Sequence, residues 1–156
     1  MERHMQHLCS CLVTVLLVGA TTWADSIVGW GLNDRGQLNV PAGSDYVAIA
    51  SGGYHGLALT TDGTIAPWGN DSSGQVSNTP GGNGFRAIAA GEWHSLAIKA
   101  DGSIVAWGNN SSGQATPPSG NNFVAISGGT LWSLALRSDG SLVAWGADDS
   151  GQRSEL

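Results

Sequence analysis

His55 and His94 stand 39 residues apart, and Ser95 follows His94 directly, with Ser133 a further 38 residues on. With Asp62 and Asp101 downstream of the histidines, these types could form a hydrolytic Ser-His-Asp arrangement, in which the imidazole takes the hydroxyl proton. Strand geometry argues against it. Neighbours on a strand point to opposite faces, so His94 cannot activate Ser95, and both Asp precede Gly in what read as hairpin turns. A metal site fares no better, because two imidazoles alone do not make a zinc site and Trp132 stands at the equivalent third position. His55 and His94 are therefore expected to cap or bridge backbone groups at strand starts. The Asn-Asp-Ser-Ser-Gly run at 70–74 and the Asn-Asn-Ser-Ser-Gly run at 109–113 lack the carboxylate density and terminal Glu of calcium loops. Turn chemistry explains them better. Asn70, Asn109 and Asn110 also head Asn-x-Ser triplets, which matter only in a eukaryotic secretory pathway. The Gly-rich stretch at 81–84 has neither Lys nor a following helix, so it cradles no phosphate. We expect no catalytic residue, no metal ligand and no cofactor.

The equivalence of the two histidines comes from a repeat. Trp followed by Gly recurs at Trp30, Trp68, Trp107 and Trp145, spaced 38, 39 and 38 residues. A Gly-Gln step follows each, at Gly36, Gly74, Gly113 and Gly151. Ala-Ile steps recur at Ala48, Ala87 and Ala125, and Leu-Ala runs lead into Asp-Gly at Asp62 and Gly63, Asp101 and Gly102, and Asp139 and Gly140. Asp-Gly between alternating apolar residues predicts a two-residue hairpin turn, which fixes the register. Leu96 then faces Trp107, Ala97 faces Ala106 and Ile98 faces Val105; Leu57 faces Trp68, Leu59 faces Ala66, Leu134 faces Trp145 and Leu136 faces Val143. Each hairpin would have a bulky and a small face, and the units would stack bulky on small. Segments 47–50, 86–89 and 124–127 are predicted inner strands, residues just after Gly-Gln a short outer strand, and residues 27–30 an unpaired strand. Pro67, standing where other repeats have Ala106 and Ala144, is expected to remove a ladder donor, which makes the strand at 65–68 either weaker or an edge strand. The fold class is all-β, with β-propeller-type repeats of 38–39 residues, about three blades and an incomplete ring.

Composition agrees with this reading. The 156 residues include 24 Gly and 7 Trp, and 41% are hydrophobic, which disfavours both helices and disorder. Net charge is −6 with six Lys plus Arg, so no basic surface exists to neutralise nucleic-acid phosphates or dock on anionic membranes. Residues 1–24 read as a secretory signal peptide: Arg3 in a short head, an apolar run over 8–20 and a Thr-Trp-Ala step ending at Ala24. A run of 13 residues is too short to span a bilayer. Both Cys, Cys9 and Cys11, would leave with this segment, so the repeat region at 25–156 has no thiol. The expected location is secreted, periplasmic or extracellular, with no membrane association after signal removal.

The pattern Trp-Gly, Gly-Gln, Pro, Ala-Ile, Gly, His or Trp, Leu-Ala and Asp-Gly, running in phase from Ile27 to Gln152, resembles the regulator of chromosome condensation repeat family. The likeness is to its short-repeat, bacterial-type members. The resemblance implies seven-bladed propellers that serve as binding platforms. One branch of that family exchanges nucleotide on a small GTPase, and a short-repeat bacterial relative is a secreted inhibitor of β-lactamase. Only three complete hairpins are present here, short of the four to eight blades of a closed ring. We expect either a fragment of a longer protein or ring closure by self-association of chains.

The positions that vary between repeats lie just before the Leu-Ala runs: Gly53 and Tyr54, Glu92 and Trp93, Thr130 and Leu131. Turns at this phase emerge together on one propeller face, where large aromatic residues anchor partners. Tyr54, Glu92, Trp93, Thr130 and Leu131 are thus the candidate binding residues for an unknown protein partner; packing of Tyr54 and Trp93 over a neighbouring blade is the other reading. The function expected is a non-catalytic, exported protein-binding module. An enzyme inhibitor like the β-lactamase-inhibiting relative is the alternative, and a GTPase exchange factor a more distant one.

Overall fold

The computed structural model describes residues 27–149 and residue 151. The segment at 1–24, expected to be a signal peptide, lies outside the described residues, as does Gln152. Nine strands form three separate antiparallel sheets, each of three consecutive strands in sequence order. The first contains β1 (Tyr46–Ser51), β2 (His55–Thr60) and β3 (Ile65–Gly69); the second β4 (Phe85–Ala90), β5 (His94–Lys99) and β6 (Ile104–Gly108); the third β7 (Phe123–Gly128), β8 (Trp132–Arg137) and β9 (Leu142–Gly146). The sheets stack in series as blades of an unclosed propeller. All three predicted inner strands form, as β1, β4 and β7.

The short outer strands expected after Gly-Gln do not form among the described residues, and the segment at 27–30 is unpaired, as expected, but irregular. Residues just after Gly-Gln are turns, closed by bonds such as Thr116 N–H to the Gly113 carbonyl at 3.0 Å and Asn39 N–H to that of Gly36 at 3.0 Å. Residues 27–30 join no sheet. Ile27 is nevertheless buried, packed with Ala58 and Trp68.

The register also differs from the expected one, by a single residue. Leu96 pairs with Ala106, Ala97 with Val105 and Ile98 with Ile104. Likewise Leu57 pairs with Pro67 and Leu59 with Ile65, while Leu134 pairs with Ala144 and Leu136 with Leu142. The reason lies in the turn. Gly102 N–H donates to the Lys99 carbonyl, and Lys99 N–H to that of Ser103, both at 2.9 Å. The loop therefore holds three residues, Ala100, Asp101 and Gly102, with Gly102 at φ 85°. This is the alternative hairpin in which a left-handed Gly closes a three-residue turn.

A one-residue slip carries every outer-strand side chain to the other face. Each Trp therefore lies on the face opposite the Leu expected beside it. In the second blade one face carries Leu96, Ile98 and Ile104, and the other Ser95, Ala97, Val105 and Trp107. The aliphatic face of one blade packs against the Ala-and-Trp face of the next: Leu57 and Leu59 against Ala97 and Trp107, then Leu96, Ile98 and Ile104 against Ala135 and Trp145. Phe85 and Phe123, which open β4 and β7, complete these two cores.

Pro67 lies on an edge strand, the second of the two expectations, and interrupts no ladder bond. The hydrogen-bonded pairs Thr60 with Thr64 and Tyr54 with Asn70 place position 67 at a non-bonded pair. Its nitrogen points off the free edge of β3, and that strand is as long as β6 and β9.

Candidate functional site

The turns between the first two strands of each blade converge at one end of the stack. Close approach there needs glycine: a Cβ on Gly52 would lie 2.3 Å from the Gly91 carbonyl oxygen, and one on Gly91 would lie 2.5 Å from that of Gly129. Glu92 N–H donates to the Gly129 carbonyl at 3.2 Å, joining the second and third turns. Together, segments 51–54, 90–92 and 128–130 line an open hollow of about 500 Å³.

Three of the expected binding residues, Tyr54, Glu92 and Thr130, line this hollow. Trp93 joins them by packing on Tyr54, with ring centroids 4.9 Å apart and planes tilted by 32°. The rings come from successive blades and both are half-buried, so packing over the neighbouring blade is one of their roles. The Arg35 guanidinium sits over the Tyr54 ring, 5.5 Å from its centroid. Leu131 occupies the position equivalent to Tyr54 and Trp93: its carbonyl accepts from Ala147 N–H as theirs accept from Asn70 and Asn109, each at 2.8 Å. It does not line the hollow.

The histidines have another role than the one expected. His55 Nε2 lies 2.8 Å from Ser95 Oγ, and His94 Nε2 lies 2.8 Å from Ser133 Oγ, each pair joining one blade to the next. They do not cap strand starts. Ser133 Oγ donates onward to the Gln114 carbonyl at 2.9 Å, so the imidazole must be the donor to the hydroxyl. A nucleophile would need the reverse direction. His55 Nδ1 and His94 Nδ1 are buried without a hydrogen-bond partner, and no carboxylate orients either ring. Burial pushes both imidazoles down to about 4; for His55 the nearby His94 adds to the effect. Among the described residues, no three His, Cys, Asp or Glu side chains gather as metal ligands would.

The Gly-Gln step has a role that its recurrence alone did not disclose. Gln37, Gln75 and Gln114 are buried, and the backbone carbonyl of each accepts the indole N–H of the following blade's Trp: Trp68 at 2.8 Å, Trp107 at 2.9 Å and Trp145 at 2.8 Å. Their side chains are satisfied within the turn. Gln114 Oε1 accepts from Ser112 N–H and its Nε2 donates to Asn109 Oδ1; Gln75 repeats this with Ser73 and Asn70. Gln37 uses Asp34 instead, because Leu32 stands where the later repeats have Asn. An Asn five residues before each of the two later Gln was the available signal. The same Asn70 oxygen also accepts from Ser72 N–H, which assigns the calcium-like runs to turn chemistry.

The hairpin aspartates are likewise turn residues. Asp101 Oδ1 accepts from the Ser103 hydroxyl at 2.7 Å and its N–H at 2.9 Å, and Asp139 does the same with Ser141. These bonds hold both carboxyls below the usual range, as the Thr60 hydroxyl does first for Asp62.

Residues 46–75 and 85–114 each match the regulator of chromosome condensation (RCC1) repeat. No curated protein sequence matches the chain. Among solved structures, the entire ectodomain of the Physcomitrella patens receptor kinase CR4 superposes with a TM-score of 0.68 at 27% identity, over 78% of this chain and 34% of that one. Prp20p from Saccharomyces cerevisiae, described with its binding properties to Gsp1p and histones, superposes at 0.64 with 22% identity, over 77% of this chain and 41% of that one. The yeast RCC1 (Prp20) bound to Kap60 gives 0.65 at 23% identity, over 78% and 40%. This chain thus spans less than half the length of each.

Proposed function

We propose that this chain, which carries regulator of chromosome condensation repeats folded as consecutive propeller blades, is a non-catalytic protein-binding module. Its contact face is the end of the stack where Tyr54, Glu92, Trp93 and Thr130 gather. The observation that carries the reading is the Tyr54–Trp93 pair, two half-buried aromatic rings from successive blades beside an open hollow. Large rings at such a place bury much apolar area on contact at little cost in side-chain entropy. Arg35 and Glu92 add one charge of each sign at its margin. That relatives in fold are described bound to proteins supports a protein as the ligand class.

In this reading the module is exported to the periplasm or the extracellular medium, which the apolar run and small-residue step of segment 1–24 support. An exported enzyme inhibitor is a narrower form of the same proposal. A second copy of the chain is a further protein partner, one that would act at the ends of the stack.

Cross-linking in the exported fraction, with identification of the captured protein, supplies a ligand for calorimetry. Replacing Tyr54 and Trp93 together with Ala is expected to weaken its affinity at least tenfold while the melting midpoint moves by only a few degrees. Loss of folding in parallel with loss of binding would assign the pair to packing alone.

A further inference from the structure

The two ends of the stack are apolar in complementary ways. At one end the aliphatic face of the third blade, with Ala125, Leu134, Leu136 and Leu142, has no blade over it among the described residues; Leu142 is 48% exposed, whereas its equivalent Ile104 is 7% exposed. At the other end Val28 and Trp30 are 61% and 47% exposed, while Ile27 turns inward onto Ala58 and Trp68. In the repeat, Val28 and Trp30 occupy the places of Val105 and Trp107. Those two residues are the ones that cover the aliphatic face of the first blade.

We propose that the third blade's open face receives the Val28–Trp30 edge of a second copy of this chain, head to tail. The proposal rests on self-association of the chain and gives it faces and polarity. The internal junctions already show what this face accepts: Val105 and Trp107 laid over Leu57, Leu59 and Ile65 in the first, and Trp145 over Leu96, Ile98 and Ile104 in the second.

The hydrogen bonds of the junctions point the same way. Both internal junctions carry a His–Ser pair, so an incoming repeat must supply a serine to each His. The third blade has Trp132 where the others have His. It makes no demand for a serine, and the 27–31 edge, which lies in no sheet, has none to offer. Two copies joined at both junctions bring six three-stranded blades, and their two Val28–Trp30 segments stand in two further blade positions, so the ring has eight positions, within the four to eight of closed propellers. A head-to-tail contact that closes after two copies makes a ring rather than a filament.

Sedimentation velocity on the full chain over a range of concentrations tests this directly. A dimer is expected. Trp30→Asp and Leu142→Asp, both at exposed side chains, should each weaken it at least a hundredfold while keeping the far-ultraviolet circular dichroism of the parent. Mixing the two variants should restore a heterodimer, because one junction then pairs an intact Trp30 edge with an intact Leu142 face. A parent chain that stays monomeric overturns both self-association and the junction. An oligomer indifferent to the variants keeps self-association and overturns this junction, and variants that fail to rescue each other in the mixture overturn its head-to-tail polarity.

Discussion

The second and third blades present the same face built from the same repeat positions, but only one of them is covered. On the second, Leu96 and Ile98 are fully buried and Ala89 nearly so, beneath Phe123, Ala135 and Trp145. On the third, Leu134 and Leu136 are half-buried and Leu142 is exposed. The strands are equally long and the registers identical. A blade's internal pairing is therefore set by its own hairpins, while the burial of its aliphatic face is conferred by its neighbour. Stability in this molecule resides largely in junctions between blades, as in other repeat architectures.

The comparison can be broken at its largest difference first. Leu96→Ala should cost about 2–5 kcal/mol by opening a cavity in a sealed core. Leu134→Ala should cost less than half as much in the Trp30→Asp background, where the third face stays open, as measured by urea unfolding. In the parent the head-to-tail junction covers that face, so the two losses should draw level there; a small Leu134→Ala loss in both backgrounds would mean that the face is open in solution.

Acid supplies the next test, because both histidines are confined to covered junctions. Their folded-state values lie near 4, below the ordinary value of 6.5. The unfolded chain therefore binds more protons between those limits, and stability falls as pH drops from 6.5 towards 4. From pH 6.5 to 5.5 the loss should be about 1 kcal/mol for each histidine. Thermal melts should show this loss, and replacing His94 with Phe should remove about half of the pH dependence.

The smallest expected effect sharpens the comparison at the hairpins. Gly102 and Gly140 both sit at positive φ, 85° and 87°. A Cβ on Gly102 would lie 2.1 Å from the Asn121 carbonyl oxygen, in the connector to the third blade, whereas one on Gly140 meets nothing within 4 Å. Gly140→Ala should then carry only the backbone penalty, about 1 kcal/mol. Gly102→Ala should exceed it clearly. Matching midpoints for the two variants would show that the connector yields freely.

Most of this architecture was legible in the sequence because the repeat copies its signals in phase. The inner strands and hairpin positions followed from Ala-Ile and Asp-Gly recurring at fixed offsets, and Tyr54 and Trp93 stood out as the large residues at a varying position. The register was not legible from Asp-Gly alone, since that dipeptide closes two-residue and three-residue loops alike. The three-residue form here is set by Gly102 bonding back to Lys99. The His–Ser pairs escaped for a different reason. His94 and its neighbour Ser95 diverge, as adjacent strand residues must, and the serine that His94 does reach lies one blade on, at Ser133. Stacking order, absent from local pattern, decides that pairing.

The bond from each Trp indole to the preceding Gln carbonyl also bears on how such a chain tolerates changes of length. From Trp to Gln the count is seven residues in every repeat, Trp30 to Gln37, Trp68 to Gln75 and Trp107 to Gln114. From the aromatic residue that opens each sheet to its Trp it is always 22: Tyr46 to Trp68, Phe85 to Trp107, Phe123 to Trp145. Only the stretch between Gln and that aromatic varies, nine residues after Gln37 and Gln114 but ten after Gln75. The bond clamps the chain on both sides of this stretch, so an added residue bulges outward there, among glycines 81 and 82, where an added Cβ would meet nothing within 4 Å. Insertions in this one interval leave every blade in phase with its neighbours, which makes it the natural place for such repeats to diverge in length.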